Sequence, residues 1–133
     1  MPPENPDTPP RIAPRLKSAP KIRELFWCDF PLDAQLPEFW KTRPVVILSF
    51  RKVVLSGAVV VVPCTTSEQP ANGPAFKLRT SIDGNTEAWA ICDKPTTVAV
   101  SRLTPDKGGV SRLPMDEFNE MLALVLDWLP KPM

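Results

Sequence analysis

The chain has 133 residues, enough for one domain with a modest core, and carries a formal charge of +1, 18 prolines and no histidine. So small a net charge gives composition alone no case for nucleic acid or membrane binding. The missing histidine excludes imidazole acid–base catalysis and imidazole metal ligation. Cysteines fall at 28, 64 and 92 without Cys-x-x-Cys spacing, and read as buried reduced thiols of a cytoplasmic protein, not as a zinc site. No signal peptide or membrane span is expected.

Residues 1–22 open with seven prolines in the first 20 positions and almost no apolar side chains. Such a segment buries too little surface to offset the entropy of ordering it, so an extended, disordered tail is expected, with a proline-rich docking peptide as the alternative. Its basic second half (Arg11, Arg15, Lys17, Lys21) is either solvated or in contact with a polyanion. Order is expected from residue 23 to 130. Leu25 to Phe30 has strand composition, with Phe26, Cys28 and Phe30 on one face, and Pro31 ends it. Pro31 to Thr42 reads as a loop of about a dozen residues, long enough to suggest a function. Glu38, Trp40 and Lys41 lie at its far end, with Arg43 just beyond.

Pro44 to Phe50 predicts a second strand, with Val53-Val54-Leu55 either continuing it or starting the next. Ala58 to Val62, five apolar residues in a row, reads as a buried central strand that stops at Pro63. Thr65-Thr66-Ser67 then places three hydroxyls on a loop held by a rigid strand. Short strands follow at Ala75 to Arg79, Ala88 to Cys92 and Val98 to Leu103, with turns at Pro70 to Pro74, Asp83-Gly84-Asn85 and Gly108-Gly109. Phe118, Met121, Leu122, Val125, Leu126 and Leu129 repeat at helical spacing, with Pro114 at the first helical position and Pro130 as the stop. This stripe is expected to pack on the sheet. Trp27, Trp89 and Trp128 are expected in the core. About six short strands and one terminal helix favour a mainly β fold, a small, strongly curved antiparallel barrel.

The ordered segments resemble the MazF/PemK (Kid) family of toxin endoribonucleases over roughly Arg23 to Leu129. The resemblance is carried by Phe26-Trp27-Cys28-Asp29-Phe30, Glu38 five residues before Arg43-Pro44, Val45-Val46-Ile47-Leu48-Ser49, Val62-Pro63-Cys64-Thr65-Thr66, Ala90-Ile91-Cys92-Asp93 and a late Arg-Leu. It implies an SH3-like barrel of the CcdB/PemK type, a homodimer, sequence-specific cleavage of single-stranded RNA and control by a cognate antitoxin protein; no cofactor or metal is expected, since the sequence has no histidine and no plausible metal cluster. Matched position by position, Arg43 falls on the family's catalytic arginine, Thr65 on its active-site hydroxyl, Glu38 on a loop glutamate linked to activity, and Asp93 on an aspartate that some members use. The family's Glu-Gln-x-Gly stretch is replaced here by Glu38-Phe39-Trp40-Lys41, and a second arginine found in some members is replaced by Ile91.

Without histidine or a metal cluster, RNA cleavage has to use the ribose 2′-OH as nucleophile. Arg43 then forks hydrogen bonds to phosphate oxygens, Thr65 bonds the phosphate and Glu38 takes the proton. Trp40 either stacks on a splayed base or folds back over the barrel. Lys41, Thr66, Ser67, Lys77 and Arg79 are the remaining candidates for RNA contact. Two rival readings stay open at this point: a CcdB-type gyrase poison, and a barrel that only binds a partner.

Overall fold

Three strands carry the architecture of the computed structural model, which describes residues 6–49 and 57–132. These are β1 (Glu24–Phe30), β2 (Lys41–Ile47) and β3 (Ala58–Thr65), paired antiparallel in chain order. β4 (Ala75–Lys77) pairs with β5 (Trp89–Ile91), and β5 with the end of β3. β6 (Thr96–Ala99) pairs with the start of β3, while β7 (Leu103–Thr104) and β8 (Ser111–Arg112) both pair with β1. A 3-10 turn, Val100–Arg102, joins β6 to β7 and so links the two sides of the curled sheet. The helix α1 (Met115–Asp127) ends the ordered elements.

Alternation along the strands feeds two separate cores. Phe26, Cys28 and Phe30 of β1, Val45 and Ile47 of β2, and Val59 and Val61 of β3 face inward with Val98, Val100 and Leu103. Leu25, Val46, Val62 and Cys64 face the other way, against Ala90, Cys92, Phe118, Met121 and Val125. A strand wedged between two cores has to be apolar on both faces, and this is the reason for the unbroken Ala58 to Val62 run.

The strand limits differ from the sequence reading in ways that follow from pairing. β3 runs through Pro63 to Thr65 instead of stopping. On its outer edge β6 pairs as far as Val61 and β5 begins at Cys64. Pro63 falls in the gap, where a missing N–H is tolerated. β2 starts at Lys41, three residues before the expected Pro44, because its ladder with β1 reaches Phe30↔Lys41. The expected Val98 to Leu103 strand is broken by the 3-10 turn, and β8 adds a short pair that no alternation announced. Phe50, Arg51-Lys52 and Val53-Val54-Leu55 lie outside the described residues.

On α1, Pro114 is the N-cap residue, one place before the helix. Phe118, Met121 and Val125 are buried, but Leu126 and Leu129 face outward, so the packed stripe is narrower than the sequence pattern. Trp128, expected in the core, is 53% exposed because the helix ends one residue earlier and turns away. Trp89 is buried, and half-buried Trp27 donates Nε1–H to Asp106 Oδ1 at 3.0 Å. Ahead of β1, Arg15 donates to Asp29 Oδ2 (3.0 Å) and to the Ser101 carbonyl (3.1 Å), and Leu16 packs against the inner core.

Candidate active site

The stretch from Glu38 to Trp40 turns into β2, which begins at Lys41. Lys41 sits at φ 58°, in the left-handed region that glycine adopts freely and other residues adopt at a cost. It occupies the place where the resembling family pattern carries glycine. The turn aims the Trp40 carbonyl at Arg43, whose Nε–H donates to it at 2.9 Å. The Phe39 ring lies under the same guanidinium, its centroid 5.4 Å from Cζ. Phe39 in turn rests on Phe30, with ring centroids 5.7 Å apart and tilted by 39°. Lys41 Nζ stands 5.1 Å over the Trp40 ring, which is half-exposed.

Arg43 forms no ion pair with a carboxylate among the described residues. Partial burial lowers its pKa from the ordinary arginine value, yet a guanidinium remains a cation at neutral pH. With Nε committed to Trp40, both Nη groups are left to bind an anion in the fork geometry that suits phosphate.

The β2–β3 register, extended past its last pair, puts Arg43 and Thr65 on one face of the sheet. Val45 is opposite Pro63. Two residues further along each strand come Arg43 and Thr65, on the same face by alternation. Thr65 is opposite Trp89, and Trp89 opposite Lys77. Arg43, Thr65, Trp89 and Lys77 therefore form one row across four strands, spanning roughly 14 Å at the usual spacing between strands. Lys77 Nζ lies 5.6 Å over the Trp89 ring and 3.5 Å from Glu87. The Thr65 hydroxyl oxygen accepts the Ser67 N–H at 3.2 Å, leaving its own proton to donate outward. Thr66 and Ser67 are exposed beside it.

The other candidates stand apart from this row. Glu38 Oε1 accepts the Gln35 N–H at 2.7 Å and closes the turn before Phe39. Asp93, between β5 and β6, pairs with Lys94 at 3.0 Å, while its Oδ1 is buried without a hydrogen-bond partner among the described residues. Arg79 is tied to Glu120 of α1 at 2.6 Å.

Several contributors were not legible from residue types. Thr42 Oγ1 donates to Asp29 Oδ1 at 2.8 Å, and Arg102 donates to the Asp29 carbonyl at 3.0 Å. The bonds from Thr42 and Arg15 hold the Asp29 carboxyl below the usual range. A cavity of about 760 Å³ opens beside Glu38 and Phe39, walled also by Lys94, Thr96 and Arg102. Phe39 carried no spacing signal in the sequence, since the stretch that joins it to Arg43 is loop and strand and not helix. Cys28 sits opposite Arg43 in the ladder, but burial pushes its thiol up to about 12 and removes it as a nucleophile. Among the described residues no group of three or more His, Cys, Asp or Glu side chains is placed to hold a metal ion, and no helix is long and apolar enough to cross a membrane.

A curled antiparallel sheet with one terminal helix, carrying on its rim an arginine that has no carboxylate partner among the described residues, defines a small barrel-like β protein. The chain belongs to the PemK-like, MazF-like toxins of type II toxin–antitoxin systems, whose family model matches residues 21–126. Among solved structures it is similar to MazF from Deinococcus radiodurans, at 17% identity, TM-score 0.67, and coverage of 83% of this chain and 96% of that one. It is also similar to the Mycobacterium tuberculosis toxin MazF-mt6, at 20% identity, TM-score 0.60, and coverage of 80% and 95%. An endoribonuclease from Mycobacterial species, in complex with its cognate antitoxin, matches at 21% identity, TM-score 0.60, and coverage of 86% and 100%. Among curated proteins none matches the chain.

Proposed function

We propose that this chain is a metal-independent endoribonuclease that cuts single-stranded RNA by attack of the ribose 2′-OH on the adjacent phosphorus. The observation that carries the reading is the row that begins at Arg43: a held guanidinium with both Nη groups open, on one face with a hydroxyl donor. Arg43 binds the non-bridging phosphate oxygens and stabilises the charge that builds on them. Thr65 donates a hydrogen bond to the same phosphate. The carboxylate of Glu38 bonds Gln35 through one oxygen and accepts the 2′-OH proton through the other, once the bound RNA draws the loop in. No side chain in this set generates hydroxide at neutral pH, so the attacking oxygen is the tethered 2′-OH, which needs only alignment. The products are a 2′,3′-cyclic phosphate and a free 5′-OH.

The strand then continues across Thr65, Thr66 and Ser67 toward Lys77, with Trp40 and Lys41 on its other side and Asp93 as an auxiliary acid near the loop. Arg79, tied to Glu120, has a smaller part in RNA contact. A homodimer controlled by a small antitoxin is supported by the family and by the similar endoribonuclease that is bound to its cognate antitoxin. The test is purified protein on a long unstructured RNA in EDTA, with Arg43→Ala alongside and a substrate carrying one 2′-deoxy nucleotide before the cut. Cleavage in EDTA is expected, lost with Arg43→Ala and with the deoxy substitution while binding persists. Efficient cutting of the substituted strand, or a strict Mg²⁺ requirement, would sink the mechanism. An Arg43→Ala variant that remains fully toxic would favour a gyrase poison or a plain binding barrel instead.

A further inference from the structure

We infer that Phe39 is a positioning residue for Arg43: its ring is the platform that sets the plane of the guanidinium, an inference that rests on the nuclease reading of the site. Arg43 leaves β2 at the rim, where strand pairing fixes its backbone but not its long side chain. Two contacts fix the rest. The Trp40 carbonyl holds Nε, and one such hydrogen bond leaves the guanidinium free to swing about it. The Phe39 ring, 5.4 Å from Cζ, removes that freedom by covering one side of the group. The platform itself is anchored, because Phe39 packs on Phe30 and against the inner core.

Phe39 stands at the second position of the loop stretch, where the resembling family pattern has glutamine. Lys41, between Phe39 and Arg43, takes the left-handed conformation. In this chain an aromatic face thus orients the cation and sets both Nη groups together. The benefit should be concentrated in the transition state, where two phosphate oxygens gain charge and a mis-set fork loses one of its bonds. A platform of this kind acts on kcat more than on KM.

The experiment uses the full chain with Phe39→Leu and Phe39→Tyr, reading steady-state cleavage of a defined RNA together with the Arg43 Nε–H resonance by NMR. Phe39→Leu is expected to lower kcat about tenfold with KM within about twofold of the parent, and Phe39→Tyr to restore it. The Arg43 Nε–H signal, shielded by the ring below it, should move downfield in Phe39→Leu and stay in place in Phe39→Tyr. If Phe39→Leu does not fold, Phe39→Met is read in its place. Unchanged kcat in the leucine variant, or a rise in KM alone, would overturn the inference. So would a tyrosine variant that fails to rescue, or an Arg43 resonance indifferent to the loss of the ring. If the parent chain cuts no RNA, the nuclease reading falls, while the resonance still judges whether Phe39 holds Arg43.

Discussion

Arg43 on the rim of the sheet and Glu117 under the helix are both charged, both partly or wholly withdrawn from water, and used in opposite ways. Glu117 is 1% exposed, and its carboxylate accepts three bonds: the Arg79 N–H (2.5 Å), the Thr80 N–H (3.1 Å) and the Thr80 hydroxyl (2.6 Å). Every one of these ties the first turn of α1 to the chain leaving β4. Among the described residues Arg43 has one internal hydrogen bond and an aromatic neighbour, and its Nη groups make no further bond. The contrast separates a structural charge from a functional one by what is left over after the fold is satisfied. Both carboxylate oxygens of Glu117 are engaged inside the fold. Arg43 has two donor groups left over.

The sharpest way to break this comparison is to remove each charge in turn. Arg43→Ala is expected to lower the cleavage rate by about 10²–10³, with a melting temperature close to that of the parent. A large loss of stability would mean that the rim arginine is structural after all. Glu117→Ala should do the reverse, costing roughly 2–3 kcal/mol of stability through its lost charged hydrogen bonds and the two amides left unpaired. Its cleavage rate below the melting transition should be unchanged. A denaturant titration and a rate measured on the same preparation check both.

Asp29 lies between these extremes, half-exposed but tied to Thr42 and Arg15. Its folded pKa is depressed, so the stability it contributes is present above the unfolded value of about 3.9 and is lost as pH falls through the lower folded value. Because the Arg15 pair is screened by water, Asp29→Asn should cost less than about 1 kcal/mol at pH 7. It should also flatten the stability profile below pH 4. An unaltered acid limb would show that other carboxylates govern that range. The smallest effect is expected from Lys41→Gly, which relieves the left-handed strain but also gives up the Trp40 contact, for a net gain within about 1 kcal/mol. A clear destabilisation would show that the lysine side chain, not the turn, holds the loop.

Much of the fold was legible because alternation and apolar runs report burial directly: β1, the body of β3 and the helix all came from such patterns. What was missed depends on partners far away in the chain. Pro63 ends a strand by local rules, yet here it sits opposite a gap between two neighbours that only the assembled sheet creates. Trp128 looks like core, but its place depends on how far the helix runs past its support. At the site, Arg43 and Thr65 were singled out by the family pattern, and the β2–β3 register, extended, puts them on one face. The clasp of Arg79 by α1 was not visible, since Glu120 lies 41 positions away and nothing local couples them. Phe39 was overlooked because the stretch that joins it to Arg43 is loop and strand, where spacing signals no contact.

The order in which the strands find their neighbours has a consequence for the newborn chain. The hairpin of β1 and β2, with Phe30, Phe39, Trp40 and Arg43, pairs within a short stretch and can form early on the ribosome. β3 cannot gain its outer neighbours before residues 89–99 have emerged, nor β1 its second edge before residue 103. Synthesis must also reach α1 before Glu117 can bind the turn after β4. The segments of the arginine cradle therefore leave the ribosome before the frame that supports them, and a lone hairpin is marginally stable until that frame arrives. A chain arrested after β2 would carry the Arg43 hairpin with both edges open, a form prone to aggregation and lacking Thr65 of β3.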